Sequence, residues 1–250
     1  MDLSKIVFNS LKYPFRNIAK LPIIFALFIL MAIIPIGKLL DNNYMVVIGV
    51  IAFFIFILIV PGFFVDVIKK GSKESTMFPS LNVVNSIYDS IRVLILRMVY
   101  MIIPAFVFYV VLSTLGPEGI NFIYDLQIHS FLATFGIIFL VILITYLIFE
   151  FLLFFAKARF AYLDSLSEAL KIHEVIRDIK NIGIVNIIKW LVVMAILMIV
   201  ISLISSVVIA IPYVGVLIYI CIVIPIMESI SNYSLGMLYS NIDRNVLVKK

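Results

Sequence analysis

Residues 45–68 read MVVIGVIAFFIFILIVPGFFVDVI, an apolar run in which Asp66 is the one ionisable side chain. A helix needs about 20 apolar residues to cross a hydrocarbon core of roughly 30 Å. Because lipid offers no partners to backbone groups, a continuous run of this length predicts a transmembrane helix rather than a membrane strand. Five similar runs occupy residues 21–40, 93–115, 131–156, 187–210 and 214–238.

The composition of the whole chain indicates the same class. Of its 250 residues, 64% are apolar and 13% are charged, and the mean hydropathy is +1.24. Such a chain has too little polar surface to cover a soluble globule of this size. We therefore predict an all-α integral membrane protein in which residues 1–250 form a single transmembrane domain of six helices. Its short connectors leave no room for a separate soluble domain.

The basic residues are distributed unevenly between alternate connectors. Eighteen of the nineteen Lys and Arg residues lie in four segments. These are the stretch before the first run, the region around the connector between the second and third runs, the region around the connector between the fourth and fifth runs, and the tail. The tail contributes Arg244, Lys249 and Lys250, and only Lys38 lies on the other side. The positive-inside rule therefore predicts a cell-membrane protein with both termini in the cytoplasm.

The chain reads as three similar hairpins, each preceded by a basic amphipathic stretch. The third stretch begins with Ser165 and Glu168 in a capping-box pattern. These stretches are expected either to lie at the inner membrane surface, where anionic headgroups attract basic side chains, or to pack on the bundle. Their predicted apolar faces are Leu3, Ile6, Val7, Ser10 and Leu11; Leu81, Val84, Ile87 and Ile91; and Leu166, Ala169, Leu170, His173, Val175, Ile176 and Ile179.

Three acids recur towards the inner ends of the returning spans, namely Asp66, Glu150 and Glu228. A charge at mid-bilayer costs roughly 2.5–3.5 kcal/mol, so such residues are usually paired or functional. The helix rise allows Asp66 and Glu150 to reach the headgroups, whereas Glu228, about 21 Å in, is expected within the hydrocarbon. Ser231 and Asn232 share a helical face with Glu228.

Each outgoing span begins with a base, which is Lys20, Arg97 or Lys189. One interpretation is that these bases form interhelical ion pairs with Asp66, Glu150 and Glu228, one pair in each hairpin. The alternative is a polar pathway or a lipid-headgroup pocket. Its candidate residues are Glu228, Ser231, Asn232, Arg97 and Glu150, and burial there would favour protonation of Glu228, as in proton-coupled carriers.

Motifs of catalysis and metal binding are absent from the sequence. It contains no H-E-x-x-H, P-loop or G-x-S-x-G pattern, and Cys221 is its only cysteine. The bases of the third basic connector alternate with Glu168, Glu174 and Asp178, which argues against nucleic-acid binding. We therefore expect no enzymatic activity, no cofactor, no metal site and no nucleic-acid partner.

Several short segments resemble a known family. They are Tyr13-Pro14-Phe15, residues 61–79, Ala158 to Tyr162 with residues 165–170, and residues 211–215 with 232–239. Together they look like the multi-pass proteins labelled domain of unknown function 4013, found largely in methanogenic archaea. The architecture is also similar to membrane domains of some glycerophosphodiester phosphodiesterases, where helices accompany a separate enzyme. The resemblance implies a membrane family with no assigned activity.

Two functional classes follow from these observations. The first is a membrane scaffold or accessory protein that binds membrane lipids, a partner complex or a second copy of itself through its basic inner helices. The second is a small transporter or channel with a polar pathway near Glu228. The lack of acids or broken helices elsewhere at the midplane favours the first class.

Overall fold

A computed structural model describes residues 2–124, 128–212 and 214–242, with side chains at all of these positions except 112, 114–124, 128–135, 137 and 138. These ranges are helical and contain no strand. Six helices in them are long and apolar enough to cross a membrane: Ile18–Leu39, Asn43–Ser72, Val83–Val111, Phe139–Leu163, Ile184–Ile209 and Val214–Tyr239. The predicted all-α membrane class with six spans is confirmed. The tail bases Arg244, Lys249 and Lys250 lie outside the described residues.

The helices follow one another with short connections. In chain order they are α1 (Leu3–Phe15), α2 (Leu21–Leu39), α3 (Asn43–Ser72), α4 (Val83–Tyr124), α5 (Ile128–Leu163), α6 (Leu166–Leu170), α7 (Ile172–Ile182), α8 (Ile184–Ile209), α9 (Val214–Ile218) and α10 (Ile224–Tyr239). A 3₁₀ turn, Ile18–Lys20, precedes α2, and a π-helical turn, Tyr219–Val223, joins α9 to α10. The last span is therefore one helix with a π turn inside it.

Side-chain caps begin several of these helices. Asp2 accepts a hydrogen bond from the backbone N–H of Lys5 at 3.1 Å, and Asn42 accepts one from Met45 at 3.1 Å. Ser165 accepts one from the N–H of Glu168 at 3.4 Å, as the capping-box pattern predicts. These caps satisfy N–H groups that the first turn of a helix leaves without partners.

Helix α3 lies at the centre of the bundle and packs against α2, α4, α5 and α10. It meets α10 where Gly71 faces Gly236. A Cβ added to Gly71 would lie 2.3 Å from the carbonyl oxygen of Tyr233, and one added to Gly236 would lie 2.2 Å from that of Ile68. Small residues allow such close backbone approach, which is a main way by which membrane helices associate.

Helix α1 packs on the bundle through Tyr13. The Tyr13 ring stacks on Tyr233 of α10 with centroids 3.9 Å apart and on Phe78 at 5.1 Å. Burial raises the pKa of the Tyr13 hydroxyl above its ordinary value, so the group stays protonated and donates to the carbonyl of Met77 at 3.5 Å. We call the end of the bundle where α1 meets α10 the α1 end.

The second basic stretch differs from the prediction, because it is the first part of α4 and continues into the third span without a break. Of its expected apolar face, Val84 and Ile91 are exposed, while Leu81 and Ile87 pack partly against the core. Ser86 and Ser90 are buried instead. The reason is the approach of α3, since a Cβ on Gly62 would lie 1.9 Å from the carbonyl oxygen of Ser86. Only small side chains fit there, and Ser90 Oγ accepts a hydrogen bond from the Gly62 N–H at 2.7 Å.

The third stretch also differs, since it forms two helices, α6 and α7, that meet at Lys171. Val175 and Ile179 are buried as expected, but His173 and Ile176 are exposed. The break at Lys171 rotates α7 relative to α6, so a single helical face cannot run through both.

Candidate functional site

A cavity of about 380 Å³ lies among the spans, between α2, α3, α4, α5 and the last span. Its polar lining is formed by Arg97, Lys157, Glu228 and Asn232. Three of these, Arg97, Glu228 and Asn232, belong to the polar site predicted from the sequence. Aromatic and aliphatic side chains form the rest of the wall and include Phe28, Phe56, Phe64, Val60, Ile68 and Val93.

The cavity lies in the half of the bundle nearer the α1 end. At a rise of 1.5 Å per residue, Lys157 is about 9 Å from the end of α5, and Glu228 is about 16 Å from the end of α10. Arg97 is about 21 Å from the start of α4 by the same measure. These charges therefore lie about 9–21 Å from the helix ends at the α1 end, on two helices that run towards that end and one that runs away from it.

Arg97 holds the hairpin of α4 and α5 together at the rim of the cavity. Its Nη2 donates to Glu150 Oε1 at 2.7 Å, and the hydroxyl of Tyr146, one turn away on α5, donates to the same oxygen at 2.9 Å. The Arg97 side chain is 53% exposed. A guanidinium has five N–H groups, so Arg97 can bind a ligand while it keeps this ion pair.

Glu228 and Asn232 lie one helical turn apart on α10. The Asn232 Nδ2 donates to Glu228 Oε2 at 3.0 Å and to the Glu228 backbone carbonyl at 2.8 Å. Within the described residues, no ion pair closer than 4.0 Å involves Glu228 or Lys157. Ser231 is absent from the lining, and its carbonyl accepts from the Ser234 hydroxyl at 2.8 Å. The cavity therefore offers one cation and one anion that form no ion pair within 4.0 Å among the described residues, although Glu228 is hydrogen bonded to Asn232.

Of the three predicted hairpin ion pairs, only that between Arg97 and Glu150 is present in the described part of the chain. Lys20 Nζ instead donates to the carbonyl of Phe78 at 2.9 Å, because α1 brings the connector between α3 and α4 beside it. Asp66 lies 3.8 Å from Lys69, one turn further along α3. Lys189 is exposed and forms no ion pair with Glu228.

The π turn of the last span lies directly before this site. The N–H of Ile224 bonds to the carbonyl of Tyr219, five residues earlier, and Pro225 follows at the start of α10. The Ser229 hydroxyl donates to the Pro225 carbonyl at 2.7 Å. Single π turns inside α-helices are frequent at functional sites. Pro225 is the sequence signal that marks this irregularity, since proline cannot donate to the helical ladder.

A second charged cluster, around Arg159 of α5, was not predicted. Arg159 is 2% exposed and pairs with the fully buried Asp178, with Glu174 at 3.3 Å and with Glu168 at 3.3 Å. The Tyr239 hydroxyl also donates to Asp178. The cluster thus joins α5, α6, α7 and α10 at the α1 end, and its groups are used in binding one another.

A sequence signal for this cluster exists in α7. Glu174 and Asp178 are four residues apart and directly precede the buried Val175 and Ile179, so all four share the inner face of the helix. The sequence interpretation treated these acids as a counter-charge to neighbouring bases. A buried helical face that carries acids requires a cation opposite it, which is the role of Arg159. The described residues contain no group of three His, Cys, Asp or Glu side chains that could hold a metal ion.

Comparison with known proteins places the chain in a family. No curated protein and no solved structure shows significant similarity to it. A family model described as protein of unknown function (DUF4013) matches residues 45–210, from the start of α3 to the end of α8. The matched part holds Arg97, Glu150 and Lys157 but not Glu228 and Asn232. The archaeal origin and the similarity to glycerophosphodiester phosphodiesterase domains stay predictions. The chain is a multi-pass membrane protein that belongs to the DUF4013 family.

Proposed function

We propose that this protein is an accessory or scaffold protein of the cell membrane, and that it binds a phospholipid headgroup from the cytoplasmic leaflet in the cavity. Both termini are cytoplasmic in this proposal. Bases such as Lys12, Lys70 and Lys180 gather at the α1 end, whereas Lys38 lies at the opposite end, which is the distribution of the positive-inside rule. The protein is proposed to bind lipid without chemical conversion.

The observation that carries the proposal is the composition of the cavity wall. Lys157 and Arg97 can bind the phosphate of a headgroup, while Glu228 and Asn232 can accept from or donate to its amine or hydroxyl groups. Phe28, Phe56 and Phe64 offer an apolar surface for the glycerol and the first methylene groups. Ligand cavities usually exceed roughly 300 Å³, so the volume suits a headgroup but not a whole lipid.

The exposure of the lining indicates how a lipid could enter. Arg97 and Glu228 line the cavity and are both exposed, so the cavity is open to the surroundings of the bundle rather than enclosed. A lipid could therefore enter sideways while its acyl chains stay in the membrane. The depth of the charges, in the half of the bundle near the α1 end, suits the inner leaflet.

We expect Lys157→Gln to weaken binding of co-purifying phospholipid by about tenfold, since a hydrogen bond to a charged group contributes roughly 1.5–3 kcal/mol. Lys157 is the suitable position because it forms no ion pair among the described residues, so its replacement leaves no acid unpaired. The measurement is the phospholipid retained per protein in detergent, quantified by mass spectrometry. Lys189→Gln is the control, because Lys189 is an exposed base outside the cavity. Equal retention in wild type and Lys157→Gln would refute the proposal.

Transport is the second candidate function. It is favoured by the π turn and Pro225, which interrupt the regular helix one turn before Glu228. Discontinuous helices next to an acid are typical of transporter binding sites. The sequence argument for a scaffold was the lack of acids or broken helices elsewhere at the midplane, and the π turn beside Glu228 adds an observation in favour of transport.

The two candidates differ in proton movement across proteoliposomes. For an accessory protein, we expect proton flux no higher than in protein-free liposomes, measured with an enclosed pH-sensitive dye under an imposed potential. Transport would be favoured instead if the proton flux exceeds that background, if Glu228→Gln abolishes the excess flux and if Glu150→Gln preserves it. Glu150 is the matched acid, because it lies at the rim and is already paired with Arg97. Native purification with identification of co-purifying proteins would then test for a membrane complex or a homo-oligomer.

A further inference from the structure

A second polar pocket, of about 350 Å³, lies at the α1 end, where α3 ends and α4 begins. Its lining combines three bases with polar side chains and one acid: Lys69, Lys70, Lys73, Ser80, Asn82, Asn85 and Asp66. It shares no residue with the cavity of Arg97 and Glu228. The pocket is therefore a separate site, formed by the last turns of one span and the first turn of the next.

Lys69 is occupied in this pocket by neighbouring acids. Its Nζ lies 3.0 Å from Asp164, 3.3 Å from Asp89 and 3.8 Å from Asp66. These contacts tie the end of α3 to α4 and to the end of α5. Lys69 thus forms part of the pocket wall and has its charge already neutralised.

Lys70 and Lys73 differ from Lys69, because neither forms an ion pair within 4.0 Å among the described residues. They are three residues apart at the end of α3, so their side chains lie on one helical face. Two such ammonium groups beside one pocket provide six N–H donors and two positive charges. This is a combination that binds a phosphate group.

The pocket also offers groups for hydroxyls. At the start of α4, Asn82 Oδ1 accepts from the backbone N–H of Asn85 at 3.2 Å, which leaves its amide nitrogen as a donor. Ser80 and the Asn85 side chain also line the pocket, and Asp66 supplies carboxylate oxygens as acceptors. A ligand that carries a phosphate and several hydroxyls would match both sets of groups.

We propose that this pocket binds a phosphorylated polyol, with its phosphate on Lys70 and Lys73 and its hydroxyls on Asp66, Asn82 and Asn85. The same chemistry could come from the headgroup of an inositol lipid or from a soluble sugar-alcohol phosphate. This binding is independent of the lipid proposed for the first cavity.

The test uses the full-length protein in nanodiscs and two probes. The soluble probe is inositol 1-phosphate, titrated by calorimetry, and the membrane probe is phosphatidylinositol included in the disc, with bound lipid quantified by mass spectrometry. We expect the double variant Lys70→Gln/Lys73→Gln to bind the effective probe at least about tenfold more weakly than wild type. The control, Lys12→Gln/Lys180→Gln, removes the same charge from exposed positions outside the pocket and should bind normally.

A second variant tests the site without loss of a lysine. Asn85→Asp places a negative charge in the pocket and should also weaken binding, whereas an acid in the first turn of α4 favours the helix. Unchanged thermal unfolding would show that this variant is folded.

The outcomes distinguish a soluble ligand from a lipid headgroup, and they also show whether the proposal fails. Binding of inositol 1-phosphate in discs without the lipid would identify a soluble ligand. Retention of phosphatidylinositol that Lys70→Gln/Lys73→Gln lowers and Lys157→Gln does not would identify a headgroup in this pocket. Absence of binding by both probes, or an equal loss in the control double variant, would overturn the proposal. Lys157→Gln should leave this binding unchanged, so the first cavity and this pocket can fail separately.

Discussion

Arg159→Met should lower the free energy of unfolding by about 3–5 kcal/mol, because removal of one partner from a buried ion pair leaves an uncompensated charge. Arg159 is the one base in contact with the fully buried Asp178 among the described residues, and it also pairs with Glu174. Methionine keeps much of the length of the side chain and removes only its charge and donors. The measurement is denaturant unfolding in detergent, followed by circular dichroism.

A second substitution shows whether the loss comes from charge rather than from packing. Adding Asp178→Asn to Arg159→Met removes the unpaired carboxylate, so the double variant should be more stable than the sum of the two single losses predicts. Arg16→Met is the control for loss of an arginine. Arg16 is exposed and donates a hydrogen bond from Nη2 to Asn9 Oδ1 at 3.3 Å, so we expect a change within about 0.5 kcal/mol. A loss below about 1 kcal/mol for Arg159→Met would contradict the importance of the cluster.

Gly236→Ala should destabilise the protein by about 1–3 kcal/mol or more, as overpacking of a well-packed interface does. The added Cβ would lie 2.2 Å from the Ile68 carbonyl oxygen and 2.9 Å from the Gly71 Cα. Both are backbone atoms, which cannot rotate away, so α3 and α10 must move apart. That movement would also disturb the stacking of Tyr13 on Tyr233. Thermal unfolding in detergent measures the loss.

Gly136 provides the matched control for this change, since a Cβ added there meets no atom of the described side chains and backbone within 4 Å. Alanine is favoured over glycine within a helix by roughly 1 kcal/mol, so Gly136→Ala in α5 should be neutral or slightly stabilising. Gly236→Ala should therefore destabilise the protein while the same substitution at Gly136 does not. Equal effects at both positions would show that helix propensity, rather than the contact of α3 with α10, determines the stability.

Part of the candidate site could be predicted because it depends on one helix at a time. Glu228 and Asn232 are four residues apart, so a helical reading places them on one face, and they are hydrogen bonded to each other. The pairing of Arg97 with Glu150 followed from the length of one hairpin. Lys157 was missed, because its place in the cavity depends on how α5 packs against α3 and α10.

The predicted ion pairs that the described residues do not form have the same explanation, namely packing between distant segments. Lys20 was assigned to Asp66 by hairpin symmetry, but its partner is the Phe78 carbonyl, which α1 and its connector bring close. Likewise, α4 buries Ser86 and Ser90 because Gly62 of α3 lies opposite them, which the sequence of α4 alone does not indicate. In each case the deciding atom belongs to a segment far away in the sequence.

From the sequence alone, the membrane class, the six spans and the family resemblance could be determined. The physical reason is that a transmembrane helix satisfies its backbone within its own segment, so length and hydropathy are sufficient to recognise it. Only the tertiary structure decided which charges meet, as Arg159 with Asp178 and Lys157 beside Glu228 illustrate. The apolar surfaces of the spans are similar in composition, so they do not determine which helices are neighbours. The close helix contacts depend instead on a few small residues such as Gly62, Gly71 and Gly236.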